Sequence, residues 1–226
     1  MWAWLFVIEQ RYTKATFVAM SQESITVLFL NAIRATRTTF LPICKDLHRR
    51  HCGAIDFVLV GPGGDIEADL STPSARVRAM RKVVDFIQED TFVLSSDRVF
   101  PIQPFDPFTP VARMKSGWLK RKGIETDAMV NTISALSDDG IRVLDHEIEV
   151  PQAYDRMKLS ALLASMPDNT HFRTAYFSSY HHHPKRMEDP LIPLWKYGMV
   201  PEGPVISLED TCFKHPDAAR FLFGQI

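Results

Sequence analysis

The chain has 226 residues, 46% of them hydrophobic and 23% charged, with a formal net charge of −1. That balance fits a folded globular protein and excludes a uniformly basic nucleic-acid binder, although a local basic face stays open. The longest apolar runs, such as Trp2 to Ile8 and Val27 to Leu30, are far too short for a membrane span.

Three widely spaced cysteines fit a reducing compartment better than a disulfide framework. The first residues carry neither the basic region nor the small-residue cleavage site of a signal peptide, so cytoplasmic residence is the expectation.

Trp2 to Gln10, rich in aromatic and β-branched residues, reads as a first strand. Gln22 to Cys52 reads as helical, with Ser21 and Ser24 as caps, Pro42 as a break or kink and Gly53 as its end. Ile55 to Val60 is a second strand, stopped by the Gly61-Pro62-Gly63-Gly64 turn. That loop lacks the lysine-serine ending of a phosphate cradle. Ile66, Ala68 and Leu70 alternate with acids as a third strand; Ser74 to Gln88 is a second helix with Val77, Met80, Val83, Val84 and Ile87 on one face. Val93 to Phe100 reads as a fourth strand. Strand, helix, strand, strand, helix, strand is the ferredoxin-like order.

Four prolines between Pro101 and Pro110 forbid a helix and mark a boundary between residues 1–100 and 101–208. Beyond it come a basic segment (Arg113 to Lys122), a helix (Thr126 to Leu136), an Asp138-Asp139-Gly140 turn, a strand (Ile141 to Val150) and a short helix near Tyr154 to Leu163. His171 to Tyr180 is strand-like and Leu194 to Leu208 is broken by prolines. Residues 209–226 form a tail. Its Phe213, Phe221, Leu222 and Phe223 are too apolar for a free end, so it is expected to dock on its own domain or on a partner. The fold class is α+β.

Cys44, His48, His51 and Cys52 share one sector of a helix, but four side chains of one straight helix hardly close a zinc tetrahedron; a half-buried face is the simpler reading. His48 alone suits a general base. In the run His181 to His183, two alternate histidines share a face if the segment is extended, while Pro184, Lys185 and Arg186 point to an exposed loop. Arg113-Met114-Lys115-Ser116-Gly117-Trp118-Leu119-Lys120-Arg121-Lys122 holds five cations, no acid and one aromatic. Such a run is either a solvated surface or a segment laid along phosphates.

Together these parts resemble the CRISPR-associated repeat endoribonucleases of type I-F systems. The similarity rests on Leu47-His48 ahead of Phe57 to Pro62, Arg113-Met114-Lys115-Ser116, Ser165 seven residues before Phe172-Arg173, and Tyr197-Gly198-Met199 with Val205. It spans roughly residues 1 to 208. It implies a ferredoxin-like N-terminal domain, a smaller C-terminal RNA-binding domain, and cofactor-free, metal-free cleavage of precursor crRNA at a stem-loop, by attack of a 2′-hydroxyl to leave a 2′,3′-cyclic phosphate. The resemblance gives His48 the acid–base role, has Ser165 hold the 2′-hydroxyl and has Tyr197 orient the histidine. Arg113, Lys115, Ser116, Lys120, Arg121 and Lys122 would contact the crRNA repeat hairpin. The partners implied are that hairpin and the other subunits of a surveillance complex. Two other readings stand beside it: a non-catalytic RNA-binding subunit of such a ribonucleoprotein, and a metal-dependent enzyme using the Cys44 to Cys52 or His181 to His183 groups.

Overall fold

A computed structural model describes residues 25–30, 40–114 and 123–225. Ile25–Leu30 forms strand β1, Leu41–Cys52 helix α1, Ala54–Val60 β2, Pro73–Phe86 α2 and Thr91–Ser96 β3. β1 pairs in parallel with both β2 and β3. The chain thus runs strand–helix–strand–helix–strand, and the two helices cover opposite faces of the sheet. Val27 and Phe29 pack with Ile43, Cys44 and Leu47 of α1. Leu28 packs with Val77, Met80, Val83 and Val84 of α2.

This arrangement corrects the ferredoxin-like order. Residues 25–30 are a strand, not part of a helix from Gln22 to Cys52. A strand covered on both faces is apolar throughout, so it shows no alternation to tell it from a buried helix. Pro42 does not break α1; it sits in the first turn, where its missing N–H and fixed φ cost nothing. Gly53, at φ 70°, ends the helix and returns its N–H to the His48 carbonyl. Residues 66–70 form no strand beyond a single bridge between Val60 and Ile66. The expected strand Trp2 to Gln10 lies outside the described residues.

The second half of the chain completes the first. β4 (Val99–Pro101), β5 (Val111–Arg113), α3 (Ile124–Asp138), β6 (Gln152–Asp155), α4 (Arg156–Ser165), α5 (Phe172–Tyr180), β7 (Lys185–Met187), β8 (Leu191–Ile192), β9 (Val205–Leu208) and α6 (Pro216–Phe223) follow in order. β6 joins β3 antiparallel, giving the sheet order β2-β1-β3-β6. Leu159, Leu162 and Leu163 of α4 and Phe172, Tyr176 and Phe177 of α5 share one core with α2.

A boundary at Pro101 to Pro110 is therefore corrected: the proline-rich segment is a connection, and the sheet and its core cross it. The strand expected from Val93 to Phe100 is split, because the chain turns at Asp97-Arg98 and β4 leaves to pair with β9. Residues 171–180, expected as a strand, form α5; their aromatics recur at helical spacing, Phe172 with Tyr176 and Tyr176 with Tyr180. Residues 141–150 run without a regular element.

The tail docks as expected. Cys212, Phe213, Ala218 and Leu222 are buried against Val27, Phe29 and Phe100 on the α1 face. Among the described residues no helix is long and apolar enough to cross a membrane.

Candidate functional site

In an open sheet with parallel strands, ligands favour the crevice beyond the carboxyl ends of the strands, where successive connections leave in opposite directions. Here β1 is that switch point, with β2 on one side and β3 on the other. A crevice of about 470 Å³ opens there, lined by Leu30 from the end of β1 and by Ser95 and Ser96 from the end of β3. Its size is that of a small-molecule site.

The walls are charged. Arg76 of α2 meets Glu125 at 2.5 Å. Arg98, in the turn between β3 and β4, pairs with Glu149 and lies 3.6 Å from Glu209. Arg113, at the end of β5, donates to the Glu147 carbonyl at 2.6 Å and reaches Asp189 at 3.1 Å. Arg173 of α5 donates to the Ile148 carbonyl at 3.1 Å. All four arginines line the crevice.

His171 sits nearly buried between two carboxylates. Its Nε2 is 3.1 Å from the Glu125 carbonyl and 3.6 Å from the Glu125 carboxylate; its Nδ1 is 3.8 Å from Glu147. Glu147 in turn accepts from the Thr174 N–H at 3.0 Å and so caps the first turn of α5. Cations from α2, the β3–β4 turn, β5 and α5 thus face acids from α3 and from the segments beside β6 and β9. A pocket of this kind suits a polar ligand carrying an anionic group and hydroxyls or amines.

The residues proposed from sequence do not meet. His48 is wholly buried on the α1 face. Ser165 is exposed at the end of α4, on the opposite face, and its Oγ donates to the Leu162 carbonyl at 3.0 Å. Tyr197 is 91% exposed on a loop. A base must lie within hydrogen-bond reach of the hydroxyl it activates, so the His48–Ser165–Tyr197 constellation is corrected: the sheet lies between its first two members.

Arg113 is turned inward onto Glu147 and Asp189 rather than outward. Lys115, Ser116, Lys120, Arg121 and Lys122 lie outside the described residues. His181 packs on Phe177 and Tyr176, while His182 and His183 are exposed. Among the described residues no group of three or more His, Cys, Asp or Glu side chains is placed to hold a metal.

His48 instead has a partner that sequence spacing did not indicate. Its Nδ1 lies 2.8 Å from the Cys44 carbonyl and its Nε2 lies 2.9 Å from Ser95 Oγ. Burial pushes its pKa down to about 4, against a smaller upward pull from the Cys44 carbonyl, so the ring is neutral at ordinary pH. A carbonyl only accepts, so Nδ1 carries the proton and Nε2 accepts from the Ser95 hydroxyl. The signal that would have found Ser95 and the arginines is positional: the ends of parallel strands, once β1 is read as a strand.

No protein-family model matches this chain, and no curated protein matches it.

Proposed function

We propose that the chain binds, and acts on, a small polar molecule bearing a phosphate or carboxylate in the switch-point crevice. The observation that carries this reading is the coincidence of a ligand-sized crevice at the carboxyl ends of β1 and β3 with four arginines from four separate elements. Guanidinium groups bind such anions bidentately, and their pairing with Glu125 and Glu149 holds them in place before a ligand arrives.

The test is a thermal-shift titration with nucleoside phosphates, sugar phosphates and small carboxylates. A true ligand at about 100 times its Kd adds about 2.7 kcal/mol. For a chain of this length that raises Tm by roughly 5–10 °C. Arg76→Gln and Arg173→Gln should each weaken binding by about tenfold or more. If no anion raises Tm at millimolar concentration, or both variants bind as the parent does, the reading fails.

A second reading keeps RNA as the ligand, favoured by the acid-free run of five cations from Arg113 to Lys122. In it the protein is a non-catalytic subunit that holds a short RNA hairpin in a CRISPR-type ribonucleoprotein, a smaller C-terminal RNA-binding region supplying the contacts. Each phosphate contact releases counterions, so affinity should fall steeply between about 50 and 200 mM salt. Lys120→Glu, Arg121→Glu and Lys122→Glu combined should abolish binding with the fold intact. Unchanged affinity in that variant sinks this reading.

A further inference from the structure

We infer that Arg173, rather than the other three arginines, holds the ligand's anionic group, and that this group is a single carboxylate on a small hydroxy or amino acid. This rests on the crevice being a ligand site and narrows what enters it. The four guanidinium groups on its walls are not equivalent. Arg76 meets the Glu125 carboxylate at 2.5 Å, Arg98 pairs with Glu149, and Arg113 reaches Asp189 at 3.1 Å. Arg173 has no carboxylate partner among the described residues. Its Nη1 donates to the Ile148 carbonyl at 3.1 Å, a bond that uses one donor and neutralises no charge. The edge formed by Nε and Nη2 has no acceptor among the described residues, and the residue is half-buried in the crevice wall. Two parallel donors on that edge match the two oxygens of a carboxylate.

The same wall supplies two more donors. α5 begins at Phe172, and the His171 side chain does not cap it. The Thr174 N–H is taken by Glu147 at 3.0 Å, while those of Phe172 and Arg173 have no acceptor among the described residues. First-turn N–H groups favour a negative charge beside them.

The acids set the limit on that charge. One guanidinium is not committed to an acid, and the carboxylates of Glu125 and Glu147 flank His171 at 3.6 and 3.8 Å, close by on the wall. The crevice therefore neutralises one ligand charge and repels a second. A carboxylate brings one charge; a phosphate monoester brings about −1.5 to −2 at neutral pH. The acids that oppose a phosphate also accept hydrogen bonds, so they suit hydroxyl or ammonium groups on the rest of the ligand.

The experiment is a thermal-shift and calorimetric titration of the whole chain with size-matched pairs: glycerate and serine against glycerol 3-phosphate and phosphoethanolamine. The carboxylates are expected to bind about tenfold or more tighter than the phosphates. Arg173→Gln should lose about tenfold or more, and Arg173→Lys, which keeps the charge without the fork, should regain only part of it. Arg76→Gln weakens binding by another route, uncovering Glu125, so adding Glu125→Gln to it should restore affinity towards the parent's. Phosphates that bind as tightly as the carboxylates overturn the proposal and keep the crevice as an anion site; this arm needs no variant to fold. Arg173→Lys binding like the parent, or no recovery in the paired Arg76 and Glu125 variant, overturns the assignment to Arg173. If neither class raises Tm, the proposal and the ligand site fall together.

Discussion

Lowering the pH from 7 to 4 should remove about 3 kcal/mol of folding stability through His48 alone. The imidazole titrates near 6.5 when free and near 4 when buried under α1. Between those values the unfolded chain binds a proton that the folded chain refuses. Stability from this group is therefore complete above about 6.5 and is lost as pH falls towards 4. At about 1.36 kcal/mol per pH unit the gap is worth about 3 kcal/mol. His146, held low by burial, acts in the same direction. The measurement is denaturant unfolding at pH 7, 5.5 and 4 for the parent and for His48→Gln. The variant is less stable at pH 7, having lost its bonds to Ser95 and Cys44, but its decline with acid is shallower. Parallel declines in the two proteins would show that His48 is not the group responsible.

Replacing Phe29 by Ala should cost about 3–5 kcal/mol, within the range for removing a buried aromatic ring. Phe29 is fully buried in the central strand, meets His48 edge-on, and stacks on Phe57 with centroids 5.5 Å apart and planes 3° apart. Because β1 is hydrogen-bonded on both edges and α1 presses on this face, the site has little freedom to collapse into the cavity. Whole domains have roughly 5–15 kcal/mol to lose, so this one ring is a large share. Urea unfolding of Phe29→Ala checks it. A loss below about 1 kcal/mol would mean that the α1 face is not packed as described.

The difference between what could be read from sequence and what could not has physical causes. α2 is legible because Val77, Met80, Val83 and Val84 recur at helical spacing; its true start at Pro73, capped by the Thr72 side chain, lies one residue before the expected Ser74. The stop after β2 was legible in its glycines. The alternation from Ile66 to Leu70 misled because its acids serve the turn instead: Asp65 accepts from the Leu59 N–H and Glu67 from the Gly63 N–H. β1 misled because a strand buried on both faces carries no period. A helical reading of β1 hides the parallel topology and its switch point.

The crevice residues are scattered from Leu30 to Asp210, and only the fold gathers them. His48 was singled out for its chemistry, but its partner lies 47 residues away, a separation that no local pattern encodes.

The docked tail ties the fold to the order in which the chain is made. Phe213 and Leu222 complete the apolar face that Val27, Phe29 and Leu47 begin. At about 5–20 residues per second, a ribosome needs roughly 10–40 s to pass from Phe29 to Phe213. During that interval the nascent chain shows an unfinished greasy surface to the cell. A chaperone that shields such surfaces, or a ribosome that does not stall before Leu222 emerges, protects the yield of this protein.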